Sequence, residues 1–381
     1  MADIGFGSQQ RSLVAKLMDL NLILLLLICT IACVGFAMLY SVADGNWDPW
    51  ASRQMVRFGL GFLALIVVAM IDIRVWLNLA YPAYVVSLVL LVWVEVAGDI
   101  GMGAQRWISL GPLNLQPSEL MKIALVLALS RYFHGISTED VSKPLRLIPP
   151  LMMIAIPVAL VVRQPDLGTA ILLLAGGGAL VFLAGINWWY IISGAVAAIA
   201  AIPIGWQFLQ DYQRNRVLTF LDPERDPLGA GYHILQSKIA LGSGGVFGQG
   251  FLQGTQSHLN FLPEKQTDFI FTMLAEEFGL VGALGLLGLY VAVLGIGVAT
   301  AIRCRSQFGR LMAMGVCVTL FLYVFINAAM VMGLVPVVGV PMPLVSYGGT
   351  SMMTIMFGFG LLMSVHIHRD TEVPRHTTSL W

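Results

Sequence analysis

Ten apolar stretches of roughly twenty residues recur along this chain, each long enough to cross about 30 Å of hydrocarbon. They fall near residues 19–41, 54–71, 77–97, 117–133, 147–162, 168–186, 188–206, 268–301, 309–333 and 350–366. In lipid every backbone polar group must be satisfied within the protein, so this pattern predicts an all-α integral membrane protein of about ten transmembrane helices. Composition agrees: 58% of the residues are hydrophobic and 11% charged, against about 25% charged in soluble domains. With 21 basic and 21 acidic residues the formal net charge is zero, which removes a nucleic-acid footprint and an acidic disordered tail as explanations of the chain. Function has to come from local sites.

An even number of crossings puts both termini on one side, and basic residues choose that side. With the N-terminus in the cytoplasm, Arg11, Lys16, Arg74, Arg131, Lys143, Arg146, Arg303, Arg305, Arg310, Arg369 and Arg375 stay inside, and the short outer loops keep only Arg53, Arg57, Arg106 and Arg163. The chain then divides into an N-terminal tail over 1–18, helices 1–7 over 19–206, a large extracytoplasmic loop over 207–267, helices 8–10 over 268–366 and a C-terminal tail over 367–381. The first apolar stretch lacks a small-residue cleavage site and reads as a retained anchor. Trp188-Trp189, Trp47 and Trp50 sit near interfaces. Cys29, Cys33, Cys304 and Cys317 lie in or beside apolar stretches and are expected to be reduced packing residues. Gly282, Gly285 and Gly288 are expected to let helix backbones approach closely. The stretch from Phe269 to Ala301 is too long for one perpendicular crossing, so its first turns should tilt or project from lipid.

Charge entering hydrocarbon is costly and tends to pair or to line a cavity. Asp268 stands where the long polar loop meets an apolar helix, a position that points to chemistry. Glu119 and Lys122 are three residues apart on one helix face and can neutralise each other, as a structural ion pair or as the lining of an active cavity. Arg214 and Arg216 could bind a pyrophosphate through charge-assisted bonds or anchor lipid headgroups. The stretch from His233 to Leu241 has helical spacing and is expected to lie on the membrane surface. The run from Gly242 to Gly250 looks like a phosphate cradle but lacks the strand, helix and lysine of that motif; a flexible turn is expected, with a backbone anion nest as the alternative. The prolines from Pro336 to Pro343 and the run Ser346-Tyr347-Gly348-Gly349-Thr350 forbid an ordinary helix, and broken backbone at this depth often borders a cavity. His366 and His368 read as tail residues, and His258 lies ten residues before Asp268.

Together, Gly103-Ala104-Gln105-Arg106-Trp107-Ile108, Gln116-Pro117-Ser118-Glu119, Gln164-Pro165-Asp166-Leu167-Gly168-Thr169, Phe261-Leu262-Pro263-Glu264 with Thr267-Asp268-Phe269-Ile270-Phe271, and Ser346-Tyr347-Gly348-Gly349 resemble the motifs of the SEDS family (shape, elongation, division and sporulation). The resemblance spans nearly the whole chain. The run from Asn215 to Pro223 and Ser257-His258-Leu259-Asn260-Phe261 place it nearer the rod-elongation branch than the division branch. One departure is Gln266, where many members carry histidine, which speaks against a histidine relay at that position.

The resemblance implies a bacterial inner-membrane peptidoglycan glycosyltransferase that polymerises lipid II during cell elongation, with its catalytic face in the periplasm. It implies a class B penicillin-binding protein transpeptidase (penicillin-binding protein 2) and other elongation-complex proteins as partners, and a divalent cation, Mg2+ or Mn2+, as activator. Asp268 matches the essential aspartate, and Glu119 and Lys122 match functional cavity residues. Arg106, Asp166, Arg214, Arg216 and Ser346 complete the candidate substrate-binding set.

On this reading Asp268 is the general base on the acceptor 4-hydroxyl, or else a metal ligand. Arg106, Lys122, Arg214, Arg216 or a metal ion would meet the charge growing on the departing undecaprenyl pyrophosphate. Two other functions stay open from the residues alone: a flippase for lipid-linked precursors, which would suit the broken segments, and a non-catalytic scaffold of the elongation machinery.

Overall fold

Each apolar stretch is met by a helix, and the residues at the helix starts are those that helix physics asks for. The computed structural model describes residues 13–373 except 102–103, 111–112, 138, 209–210, 223–225, 227–228 and 256–263. His258, the stretch Pro223-Glu224-Arg225, the motif residues from Ser257 to Pro263 and the outer parts of both tails therefore lie outside the described residues. In chain order the helices are α1 (Leu13–Met18), α2 (Leu22–Val42), α3 (Trp50–Met70), α4 (Ile73–Ala97), α5 (Pro117–His134), α6 (Pro144–Arg163) and α7 (Leu167–Leu183). They continue with α8 (Trp188–Phe208), α9 (Asp211–Leu221), α10 (Ala230–Ser243), α11 (Ile270–Arg303), α12 (Gln307–Val331) and α13 (Gly349–Ile367). Side chains of Asn21, Asp72, Asp166 and Ser306 cap α2, α4, α7 and α12 by accepting a backbone N–H of the first turn. Pro117 and Pro144 occupy the first helical positions of α5 and α6, where no N–H is needed.

Among the described residues seven helices, α2, α3, α4, α6, α11, α12 and α13, are long and apolar enough to cross a membrane. The other three predicted stretches are helical too, as α5, α7 and α8. Helices α12 and α13 are buried along most of their length, whereas α2, α3, α4, α6 and α11 leave most of theirs exposed. With α5, which is buried along nearly all of its length, α12 and α13 form the centre of the bundle, inside a ring of helices with outward apolar faces, as expected where lipid is the solvent. α3 packs along α13, α4 along α5, and α11 along α12.

Three features go beyond the sequence expectations. The polar segment between α4 and α5 holds a small antiparallel sheet, β1 (Asp99–Gly101), β2 (Ala104–Leu110) and β3 (Leu113–Leu115), in the order β1-β2-β3. α10 docks by one face on α11 and α12, where the Ser237 hydroxyl donates to the Val331 carbonyl at 2.8 Å and meets the Thr272 hydroxyl at 2.9 Å, and leaves Leu235 and Ile239 exposed. Gly285 and Gly288 face open space, and the close approaches occur instead at Gly35, against the Leu344 carbonyl, and at Gly297, against the Cys317 sulfur.

The glycine run after α10 has a structural task. α11 breaks at Gly279 (φ 66°, ψ −163°), a backbone conformation essentially restricted to glycine. The run crosses that break like a strand: Gln249 and Gly250 donate to the carbonyls of Glu276 and Glu277, each at 3.0 Å. In return Leu280 and Val281 donate to Gly245 and Val246 at 3.0 and 3.1 Å. The run is a turn, closed by the Gly245 and Gly248 amides on the Gly242 and Gly244 carbonyls at 3.3 and 2.8 Å, and with Gln249 and Gly250 spent on α11 it serves as a splice that steers the first turns of that helix. A Cβ on Gly279 would stand 2.3 Å from the Gly248 nitrogen. Gly279→Ala is therefore expected to destabilise the protein by about 3 kcal/mol or more, read as a lowered melting temperature in detergent.

Candidate active site

Asp268 lies in a tight turn immediately before α11, where the amides of Thr267, Asp268 and Phe269 all donate to the Glu264 carbonyl, at 3.0, 3.2 and 3.4 Å. Three further elements hold this turn. The Asn327 side-chain amide, on α12, donates to the Asp268 carbonyl at 2.9 Å and to the Val340 carbonyl at 2.7 Å. The Ser346 hydroxyl donates to the Thr267 carbonyl at 2.5 Å and accepts from the Met342 amide at 2.7 Å. The Tyr347 amide donates to the Gln266 carbonyl at 2.8 Å. Asp268 is thereby fixed against the irregular segment 332–348, and its Oδ2 lies 3.4 Å from where a Cβ on Gly339 would stand.

The surroundings of Asp268 favour its protonated form. Burial is the main cause, the nearby Glu264 carboxylate adds to it, and Arg216 opposes it; together they push the Asp268 pKa up to about 7. The side chain is packed yet still partly accessible, which suits a group that must meet a substrate. Arg216 itself donates to the Val337 carbonyl at 3.3 Å. His233, on α10, has its ring 6.3 Å from Phe269, and burial lowers its pKa against the pull of Asp226 and Glu264, so it is neutral near pH 7.

One turn away along α12 stands a second buried group. Tyr323 precedes Asn327 by four residues and therefore shares its helix face. Its hydroxyl donates to Glu119 Oε2 at 2.8 Å, and Lys122 Nζ donates to Glu119 Oε1 at 2.7 Å and to the Tyr323 hydroxyl. All three side chains are buried, so the ion pair predicted from spacing is real and has a third member.

Asp166 forms the third group. It caps α7 through Thr169, accepts from Gln116 Nε2 at 3.4 Å and lies 3.7 Å from Arg106 Nη1. Gly168, in the same first turn, packs so closely on the Val338 carbonyl that a Cβ there would come within 2.5 Å of it. Val338 and Gly339 thus carry the Asp166 group on one side and Asp268 on the other. Asp166 is also within electrostatic reach of Tyr323.

The predicted residues therefore separate by task. Asp268, Arg216 and, through Gly168, the Asp166 turn meet the segment 332–348, while Glu119 and Lys122 meet Tyr323, one turn from Asn327 on α12. Ser346 is buried and spends its hydroxyl on the backbone of the Asp268 turn. Arg106 donates to the carbonyls of Gln164 and Pro165 at 3.2 and 2.7 Å, which holds the turn before α7. Arg214 donates to the carbonyls of Trp206 and Gln207 at 3.1 and 2.8 Å, closing the end of α8.

Sequence reasoning missed Tyr323 and Asn327. Their signal was present: polar side chains four apart within an apolar span. Removing the Asn327 amide as Asn327→Leu leaves two buried carbonyls unsatisfied. It is expected to lower the turnover of the site roughly a hundredfold by loosening the geometry of Asp268, with Asn327→Gln recovering part of the loss.

A family model described as cell cycle protein, for FtsW, RodA and SpoVE, matches residues 15–371. The peptidoglycan glycosyltransferase MrdB of Escherichia coli strain K12 is 48% identical over 348 residues, covering 91% of this chain and 93% of that protein. A probable peptidoglycan glycosyltransferase FtsW of Trichlorobacter lovleyi is 34% identical, covering 92% and 94%. Among solved structures, a chain from the work described as "Structural coordination of polymerization and crosslinking by a peptidoglycan synthase complex" superposes with a TM-score of 0.81 at 35% identity, covering 93% of this chain and 99% of that one. The rod shape determining protein RodA of Thermus thermophilus gives a TM-score of 0.70 at 31% identity, covering 93% and 98%.

Proposed function

The chain belongs to the family of cell cycle proteins that unites FtsW, RodA and SpoVE, and from that premise we propose that it works as a peptidoglycan glycosyltransferase whose reacting carboxylate is Asp268. It is a multi-pass membrane enzyme of the rod-elongation type, and its substrate is lipid II. The observation that carries the assignment to Asp268 is its setting: a carboxylate with a pKa near 7, held by Asn327, Ser346 and Tyr347 on the face that bears the long loop. A base matched to the working pH is what general base catalysis asks for.

In the ionised form Asp268 takes the proton of the acceptor N-acetylglucosamine 4-hydroxyl. That oxygen bonds to the anomeric carbon of the donor N-acetylmuramic acid, the bond from that carbon to the pyrophosphate oxygen breaks, and undecaprenyl pyrophosphate leaves with the electron pair. One displacement inverts the α-linked donor to a β-linked polymer and needs no covalent enzyme intermediate. Arg216, beside Asp268, is the cation best placed to meet charge on the pyrophosphate. Glu119, Lys122 and Tyr323 fix α5 to α12 and so set the floor on which Asn327 stands.

A divalent cation suits this site. Glu264 and Asp268 are close enough for each charge to be felt by the other, and a hard cation takes one or two carboxylates together with substrate phosphates. When bound there it would supply positive charge toward the pyrophosphate and hold Asp268 ionised, which makes Asp268 a metal ligand in place of the base. Among the described residues no cluster of three metal-ligating side chains exists, and these two carboxylates are the pair that would hold the cation.

In the proposed topology ten helices cross the bacterial inner membrane, both termini are cytoplasmic, and the Asp268 face is periplasmic. The transpeptidase partner is a class B penicillin-binding protein. The test is polymer formation from purified labelled lipid II with and without that partner and Mg2+. Glycan ladders are expected with both present, and their absence under every condition would remove the polymerase reading in favour of precursor transport or a scaffold.

A further inference from the structure

Gln54, in the second turn of α3, is wholly buried, yet only half of its amide is used: Nε2 donates to the Ser346 carbonyl at 2.8 Å, and Oε1 meets no donor. The carbonyl it faces fixes the orientation, because the flipped amide would set two oxygens against each other. A buried oxygen left without a donor is a cost that methionine, of similar size, would avoid. Packing alone therefore does not account for an amide at this place, and its task lies in what Nε2 holds.

Nε2 holds one end of a peptide plane. The carbonyl of Ser346 and the N–H of Tyr347 belong to the same planar unit and point to opposite sides of the chain. The N–H end donates to the Gln266 carbonyl at 2.8 Å, two residues before Asp268. Gripped at both ends, the plane cannot turn about the line joining its Cα atoms. Released at one end it can, and turning breaks the other bond as well. α3 grips the Tyr347 side chain too, from either side of Gln54: Trp50 meets the ring edge-on with centroids 4.8 Å apart, and the Arg57 guanidinium lies over it, 4.5 Å from the centroid. Trp50, Gln54 and Arg57 follow at helical spacing, so one face of α3 holds ring and peptide together. On the reading of Asp268 as the reacting carboxylate, we propose that Gln54 is a positioning residue for it, acting through the Ser346–Tyr347 peptide on the Gln266 carbonyl. The Ser346 hydroxyl and the Asn327 amide hold the same turn at the Thr267 and Asp268 carbonyls, so loss of Gln54 loosens the turn without opening it.

Gln54→Met removes the donor at nearly constant volume. It exchanges one unsatisfied oxygen, Oε1, for another, the Ser346 carbonyl, so the melting temperature is expected to stay near that of wild type. Hydrogen exchange read by mass spectrometry on the full-length protein in detergent is expected to be faster than in wild type in the segment that contains the Tyr347 amide. In lipid II polymerisation kcat is expected to fall roughly tenfold with KM unchanged. Leu65→Ala, a cavity about three turns further along α3, is the control for destabilisation: it is expected to melt earlier and to keep both kcat and the exchange at Tyr347. Unchanged exchange in Gln54→Met overturns the proposal, as does faster exchange with kcat unchanged, or a loss of kcat that Leu65→Ala reproduces. Exchange is read without substrate, which tells two failures apart: wild type that forms no polymer removes the reading of Asp268 and the proposal with it, whereas unchanged exchange removes the proposal and leaves that reading standing.

Discussion

Asp268→Asn is expected to abolish glycan polymerisation, lowering the rate by roughly a thousandfold or more, while leaving the fold intact and the melting temperature at or above that of wild type. The substitution keeps size and removes only the ability to accept a proton. The turn does not depend on the carboxylate: it is closed by the Glu264 carbonyl and clamped through main-chain carbonyls by Asn327 and Ser346. Stability should in fact gain at neutral pH. A carboxyl whose pKa is raised to about 7 contributes its stability fully below the ordinary carboxylate value of 3.8 and loses it as pH rises through 7. The neutral amide carries no such penalty. A melting curve and a polymerisation assay on the same preparation separate loss of chemistry from loss of fold.

The second large effect belongs to Lys122. Lys122→Met leaves Glu119 charged and buried with only the Tyr323 hydroxyl beside it, and breaking a buried pair from one side costs roughly 3–5 kcal/mol. The variant is expected to express poorly, to melt early and to polymerise little. Removing both charges, as Lys122→Met with Glu119→Leu, should recover much of the stability, since replacing a buried pair by apolar side chains is often neutral or better. Thermal melting of the two single variants and the double variant gives the coupling. Activity of the restored double variant then tells whether the triad only holds α5 to α12 or also contributes charge to the site.

How much of this could be read from the chain depends on what kind of signal each residue leaves. Asp268 and the Glu119-Lys122 pair were legible because a charge bordering or entering an apolar stretch is expensive and therefore conspicuous. The tasks of Arg106, Arg214 and Ser346 were not, because their partners are main-chain carbonyls of Gln164, Pro165, Trp206, Gln207 and Thr267, and a carbonyl carries no sequence identity. The break in α11 was hidden because its apolar run continues through Gly279 and the segment that splices it, from Gly245 to Gly250, lies some thirty residues earlier. Hydropathy could equally not tell which face of α10 would pack on α11 and α12, since protein and lipid reward the same apolar side chains.

The measurement that bears most directly on Asp268 as the base is the pH dependence of the single-turnover polymerisation rate, for wild type, Asp268→Glu and Asp268→Asn. The ionised carboxylate is the active form, so the wild-type rate should climb through pH 7 and level off above it, following the pKa near 7. Asp268→Glu should keep a climbing limb at a reduced rate, and Asp268→Asn should stay flat and close to background. A wild-type rate with no inflexion between pH 6 and 8, about one unit either side of that value, or ladders from Asp268→Asn equal to those of wild type, would contradict the assignment of Asp268 as the base.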